Sequence, residues 1–479
     1  MQGRSSEEDT SKKQSEKPKR GEEILLSIDG LAQGGRGVGR ANGVVVFVPL
    51  TAPGDRVRAR ITRTHRRHCE GELVEVMTPS PEREKPPCTH FGKCGGCSWQ
   101  HMSYSAQLRA KEDLLRESLE RLGGLPKGLP YHPIVPSEDA HGYRNKMEFS
   151  FDQNGVLGLH RRGRFDEVLE LEGCLLPSQR AMDLALTVKR LVRERALPSW
   201  DRRRRTGLLR HLVIREGRGT GEMMAGLVTT SDPFPNAERL AGELAERHEG
   251  LESVVRAVTD SPADAVAAER LEVLHGRDHI MEKLGGILFR VELETFFQTN
   301  TAQAEKLVDL VIETAELTGD ETAIDIFCGV GTFSLLLARR AARVFGLEVV
   351  PNAVDSARRT AEREGFRNVS FMAADARRGL PVLLEKAGAP PDLILLDPPR
   401  SGTGGKVMRR IGRAAPGRVI YVSCNPTTLA PDLAWLIPFG YEVTSVQPLD
   451  MFPQTHHLET IVRLDRKPEA DNLEDPFRT

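Results

Sequence analysis

The chemistry open to this chain rests on its cysteines and on a few acids that end apolar runs. Cys88, Cys94 and Cys97 follow a C-x5-C-x2-C pattern, and Cys174, in LEGCLLP, offers a fourth thiol. Four thiolates suit tetrahedral zinc or an iron–sulfur cluster, and the spacing alone leans slightly to zinc. Cys424 closes the apolar run of VIYVSCNP, where a thiol at the rim of a parallel sheet is placed for nucleophilic attack. The competing reading is a small buried hydrophobe, the usual fate of free cysteine. Cys328, inside a glycine turn, fits that reading better, and Cys69 reads as structural.

A second group of residues suits a nucleotide-type cofactor. AIDIFCGVGTFSLLLA (323–338) reads as strand, tight turn and helix start, and Gly329 and Gly331 would let backbone approach a ligand closely. The third glycine of the dinucleotide fingerprint is missing. The next strand ends at Glu348, 23 residues after Asp325, where an acid can accept hydrogen bonds from ribose hydroxyls. Asp375, in FMAADAR, is placed to meet an adenine edge. LILLDPPR (393–400) ends in Asp397, with Pro398 and Pro399 stiffening the loop at the rim of the sheet. Some enzymes that methylate exocyclic amines carry a similar loop, so this motif names no target. A generic α/β core could hold one such loop. Three in order, each with an acid at a strand's C-terminal end, argue for a site.

The elements that must position these residues fall into several domains, as 479 residues at ~150 per domain suggest. Residues 1–21 read as a polar tail. Residues 22–79 hold short strand-like runs (Ile24–Ile28, Val44–Val48, Val57–Ile61, Leu73–Val76) between glycine turns at Gly34, Gly35, Gly37 and Gly39, which predicts a small β-barrel. A Pro-rich link leads to the cysteines and to an amphipathic helix over 104–122. Residues 80–295 read as a central α+β domain that includes the four-cysteine site. From 296 to 467, helices alternate with buried-type strands (Thr322–Phe327, Val344–Glu348, Leu393–Asp397, Val419–Ser423), a Rossmann-like, doubly wound α/β domain. A polar tail spans 468–479.

Composition excludes several classes. Hydrophobic residues are 39% and charged residues 28%, which is ordinary for a globular protein. The longest apolar runs fall short of the ~18 residues that cross a bilayer. The N-terminus lacks the apolar core of a secretory signal, and seven cysteines in so long a chain point to a reducing cytoplasm. The net charge of −1 argues against a protein that coats nucleic acid. Positive charge is nevertheless concentrated. Arg56–Arg67 holds six arginines and no acid, Arg202–Arg205 is a run of four, and Arg400–Arg418 holds six basic residues and no acid. Any one run alone also fits a solvated face; three favour an RNA or DNA partner.

DIFCGVGTF, LDPPRSG, YVSCNPTTLA and MFPQTHHLET together resemble the RNA uracil-5-methyltransferases that use S-adenosylmethionine, over roughly 22–465. The resemblance implies a TRAM-type, OB-like barrel that binds RNA and a class I methyltransferase domain. It implies Cys424 as nucleophile and Glu459, in HHLET, as base. Gln298 (FFQTN), Phe327, Glu348 and Asp397 match cofactor-contacting positions, and Asp375 joins them. Thr332 stands where members often carry asparagine. The cysteine-bearing branch acts on 23S ribosomal RNA, and its match at Cys88, Cys94, Cys97 and Cys174 turns the metal expectation to [4Fe-4S]. No membrane and no obligatory protein partner are expected. The alternatives are a transfer-RNA uracil-5-methyltransferase and a non-catalytic RNA-binding assembly factor; an intact Cys424 and Glu459 oppose the latter. A radical S-adenosylmethionine enzyme would carry C-x3-C-x2-C inside a (β/α) barrel, unlike this chain.

Overall fold

The computed structural model describes residues 17–170, 172–262, 268–472 and 475–477. Most of the expected N-terminal tail therefore lies outside the described residues. The chain forms two compact units: one runs to Pro87 and takes in Ser98–Ala106, and the other comprises Cys88–Cys97 and everything from Gln107 onward. No helix among the described residues is long and apolar enough to cross a membrane.

The first unit is a six-stranded sheet with neighbours in the order Glu23–Ser27, Arg56–Thr64, His68–Thr78, Val44–Val48, Arg36–Ala41 and Gly30–Ala32. Alternating residues point inward to a small core of Leu26, Ile28, Val46, Val48, Val57, Ala59 and Ile61, joined by Cys69. Gly34 and Gly35 make the expected turn with positive φ, but Gly37 and Gly39 lie within a strand. There a Cβ at Gly39 would stand 2.2 Å from the Ser27 carbonyl oxygen, so these glycines serve close strand crossing rather than turning. Residues 80–87 and 98–106, expected in the central domain, belong to this unit. Trp99 Nε1 donates to the Gly35 carbonyl at 3.0 Å, and Arg83 Nε donates to the buried Asp55 at 3.0 Å.

In the second unit, a seven-stranded sheet packs helices Gln179–Glu194 and Ala237–Arg247 on one face. Its other face shares a core with the hairpin His279–Leu284/Ile287–Glu292 and with helix Thr301–Ala315 (Val213, Val255, Phe289, Leu307), so the central and C-terminal parts are built around one apolar interior. The C-terminal strands are β1 (Thr322–Ile326), β2 (Arg343–Glu348), β3 (Val369–Ala373), β4 (Leu393–Leu396), β5 (Arg418–Ser423), β6 (Tyr441–Leu449) and β7 (Glu459–Arg466). Their order in the sheet is β3-β2-β1-β4-β5-β7-β6, with β1–β5 parallel and β7 antiparallel to both neighbours. The order reverses between β1 and β4, and a ligand crevice belongs outside the carboxyl ends of the strands there. The described part of the expected polar tail is docked: Phe477 packs 5.3 Å from Trp435, and Asp475 accepts from Arg413 at 2.8 Å.

Candidate active site

At the end of β1 the chain turns sharply through Phe327 (φ 70°), Gly329 (φ 55°) and Gly331 (φ 84°) into the short helix Thr332–Leu337. Only glycine fits at Gly331, where a Cβ would press at 3.0 Å on Ala357 and Phe371. The amides of Phe327 and Cys328 both donate to the Leu347 carbonyl (2.8 and 3.1 Å), locking this turn to β2. Glu348 ends β2, and its carboxylate takes three backbone amides: Gly329 at 3.1 Å, Val349 at 2.7 Å and Val350 at 2.9 Å. Beside it Val349 and Val350 are 60% and 49% exposed, an apolar surface on which a flat ring could lie. Asp375 Oδ1 accepts from the Arg377 amide at 2.9 Å and caps helix Ala376–Ala387, so its expected ligand role is shared with a structural one. Thr332 begins its helix, half-buried, directly after the glycine turn.

Asp325, in β1, is fully buried. Ser334 Oγ donates to its Oδ2 at 2.6 Å, while Oδ1 is buried with no partner among the described residues. Burial pushes its carboxyl up to about 7. Asp397, at the end of β4, is likewise raised to about 7, first by burial and then by the charge of Asp325. Two adjacent carboxyls held this high, one with an orphaned oxygen, fit a cationic ligand that would restore their charge. Gln298 stands in the segment before helix Thr301–Ala315, its backbone carbonyl held by Asn145 Nδ2 at 2.9 Å.

Cys424 follows β5, and β5 pairs with β7 through Ser423 opposite Thr460. Continuing that antiparallel register by one residue sets Cys424 opposite Glu459, which is 2% exposed. Burial pushes the Cys424 thiol up to about 11; the Glu459 and Asp397 charges add to the rise and the Arg400 guanidinium opposes it. The Glu459 carboxyl is held well above its ordinary range by burial and then by Asp397, again opposed by Arg400. So Asp397, Arg400, Cys424 and Glu459 act on one another at one point of the sheet rim. The loops are tied there. Asn425 Nδ2 and Thr428 Oγ1 donate to the Arg400 carbonyl at 2.9 and 3.2 Å, and Asp432 accepts from the amides of Thr403 (2.7 Å) and Gly404 (3.0 Å) and from Tyr421 Oη (2.7 Å). His456 and His457 remain neutral at pH 7, depressed chiefly by burial to about 4 and about 3.

Sequence reading missed what holds the loop between β6 and β7. Lys111 and Asp450 form a fully buried ion pair, and Lys111 Nζ also donates to the Phe452 carbonyl at 3.1 Å. Gln107 and Gln454 exchange two hydrogen bonds (3.1 and 3.0 Å). Gln303 Nε2 donates to the Asp450 carbonyl at 2.9 Å. The signal was present: Gln107 and Lys111 lie at i and i+4 on the apolar stripe of helix Tyr104–Glu117 with Leu114 and Leu115.

The four cysteines share one neighbourhood. Burial raises Cys94, and raises Cys174 to about 11; Cys88 is among the charges acting on both, and Cys97 acts with Cys94 on Arg162. The loop Cys88–Cys97 is bound to the strand Leu157–Arg161 through the Gly95 amide on the His160 carbonyl (3.1 Å), and Arg162 donates to the Cys97 carbonyl. Among the described residues His65, His68 and Glu70 also bring three ligand atoms within 4.8 Å of one another. Of the basic runs, Arg58 and Arg60 are paired with Glu75, Glu23 and Glu72, and Arg413 and Arg418 with Asp475, Asp465 and Glu316, whereas Arg63, Arg66 and Arg67 lie exposed around a hairpin tip.

Comparison with known proteins agrees with this geometry. Residues 317–446 match the methyltransferase-domain family and 17–74 the TRAM-domain family. An RNA methyltransferase of Halalkalibacterium halodurans is 35% identical over 446 residues, 93% of this chain and 97% of its own length. One from Caldanaerobacter subterraneus is 38% identical over 455 residues, 93% of this chain and 99% of its own length. The crystal structure of Pyrococcus abyssi tRNA (uracil-54, C5)-methyltransferase with S-adenosyl-L-homocysteine superposes with a TM-score of 0.72 at 27% identity, covering 92% of this chain and all of that one.

Proposed function

Since the chain belongs to the RNA uracil-5-methyltransferase family, we propose that it methylates C5 of a uridine in 23S ribosomal RNA through a covalent Cys424–C6 adduct. The observation that carries this reading is the nearness of Cys424 to the buried Glu459, each one residue beyond the Ser423–Thr460 pair of β5 and β7, with Asp397 and Arg400 acting on both.

Bound S-adenosylmethionine supplies an electrophilic methyl group on a sulfonium. Glu348, fixed by three amides, would accept from its ribose hydroxyls, and Asp325 and Asp397 would hold its cationic end. The reading assigns to the cofactor Gln298, from the segment before helix Thr301–Ala315, Phe327, Gly329 and Thr332, from the turn after β1, and Asp375, after β3. C5 of uracil is a weak nucleophile. When the Cys424 thiolate bonds to C6, the ring's electrons move to the carbonyl and C5 becomes able to take the methyl group. Glu459 then removes the C5 proton; the electron pair returns to the C5–C6 bond and the Cys424–C6 bond breaks. The base must leave its stack to reach Cys424. Arg400, which favours both charged forms, helps the thiol ionise.

For Cys88, Cys94, Cys97 and Cys174 the reading is a [4Fe-4S] cluster, supported by four thiols gathered in one neighbourhood. Methyl transfer by this route needs no electron, so its role there is structural. Iron and sulfide near four each in anaerobically purified protein are expected; stoichiometric zinc in fully active protein would overturn it.

The test of the reaction is Glu459→Gln. Attack and transfer precede the step that needs the base, so methylated RNA should stay bound to protein through denaturing electrophoresis, and should not in Cys424→Ala. Free product at the wild-type rate rejects Glu459 as the base. The superposition on a transfer-RNA enzyme favours tRNA as a second reading. Mapping 5-methyluridine in both RNAs from cells lacking the protein decides between them.

A further inference from the structure

Residues 142–145 are bonded at once to the four-cysteine segment, to the cofactor side and to the catalytic loop. The Gly142 and Arg144 amides donate to the Leu175 and Leu176 carbonyls at 2.7 and 2.9 Å, directly after Cys174. The buried Tyr143 Oη donates to the Pro453 carbonyl at 3.0 Å, within the loop that leads to Glu459. The buried Asn145 reaches the other way. Its amide donates to the Thr299 carbonyl at 2.8 Å, and its Nδ2 to the Gln298 carbonyl and to Thr301 Oγ1, both at 2.9 Å.

We infer that Tyr143 and Asn145 are positioning residues in a strut through which the segment anchored at Cys174 sets the place of both the base-bearing loop and Gln298. The inference rests on the proposed reaction and adds to it a role for the cysteine site. Neither residue touches the reacting atoms. Each joins elements far apart in sequence by hydrogen bonds to main-chain carbonyls, Tyr143 through its hydroxyl alone and Asn145 through both its amide and its side chain, and a main-chain anchor moves a whole loop where a side-chain contact moves one group. A misplacement of about 1 Å at the chemistry can cost on the order of a hundred-fold in rate.

The two arms make separable predictions. Tyr143→Phe removes one oxygen and keeps the ring in the core. Iron content and affinity for S-adenosylhomocysteine should match the wild type, kcat should fall about ten-fold with KM for RNA within two-fold, and the steady-state fraction of protein held as methylated adduct should rise, because the base step is the one disturbed. Asn145→Ala should weaken S-adenosylhomocysteine binding at least five-fold in titration calorimetry, with iron content unchanged. Cys174→Ser should reproduce both defects together. A Tyr143→Phe protein with wild-type kcat and adduct fraction overturns the strut, as does Cys174→Ser that has lost its metal yet keeps wild-type homocysteine-analogue affinity. The binding measurement needs no RNA, so it stands even if C5 methylation is not observed for the wild type, an outcome that would instead reject the proposed reaction.

Discussion

Replacing Lys111 by methionine tests whether the β6–β7 loop is held by its buried charge pair. The substitution keeps the length of the stem and removes only the ammonium. Asp450 then keeps the Phe452 amide at 3.1 Å but loses its counter-charge inside the protein. Breaking one side of a buried pair costs about 3–5 kcal/mol, because an uncompensated charge remains. With an unfolding entropy of about 2.1 cal/mol/K per residue over the ~380 residues of the larger unit, that loss corresponds to a fall of roughly 4–6 °C in the midpoint of a cooperative transition. Removing both charges in Lys111→Met/Asp450→Leu should recover more than half of the loss, since an apolar pair of similar volume replaces the ions. Scanning calorimetry of the wild type, both single variants and the double variant measures this cycle. A Lys111→Met midpoint within 1 °C of wild type, or a double variant whose loss equals the sum of the singles, refutes the reasoning.

Three other outcomes are expected. S-adenosylmethionine should bind more tightly as pH rises through about 7, because Asp325 and Asp397, raised to about 7, must ionise to face a cation; the gain is at most about ten-fold per pH unit per proton lost, and a flat calorimetric profile between pH 6 and 8 counts against it. Alkylation of Cys424 by iodoacetamide should keep accelerating towards pH 11 and should be slower at each pH in Arg400→Ala, whose missing guanidinium no longer favours the thiolate; equal rates in the two proteins would contradict this. Alanine at Arg63, Arg66 and Arg67 should lower the slope of log affinity for RNA against log salt by about 2–3, as three phosphate contacts are lost, while the paired Arg58 and Arg60 should contribute less; an unchanged slope makes the hairpin tip a solvated face.

Much of this site was legible because its residues end buried parallel strands. Glu348, Asp397 and Cys424 each follow an uninterrupted apolar run, and runs of that kind have few other readings. β3 was legible only as the strand of the βα unit that carries Asp375, without its bounds. It lies at the sheet edge with only Phe371 buried, so its pattern carries little periodicity. β6 and β7 were missed because antiparallel strands at the end of an otherwise parallel sheet break the alternation with helices. Gly37 and Gly39 were read as turns since a sequence does not distinguish a glycine that bends the chain from one that admits a neighbouring strand. Lys111 and Asp450, and Tyr143 and Pro453, are more than 300 positions apart. No local pattern announces such partners; the one local sign is Lys111 on an apolar helix stripe.

The facing of Cys424 and Glu459 across β5 and β7 also limits how this protein can change. Side chains alternate faces along a strand, so gaining or losing one residue within either strand would turn every later side chain to the opposite face and separate nucleophile from base. Arg418–Ser423 and Glu459–Arg466 must therefore be inherited at constant length for the reaction to survive.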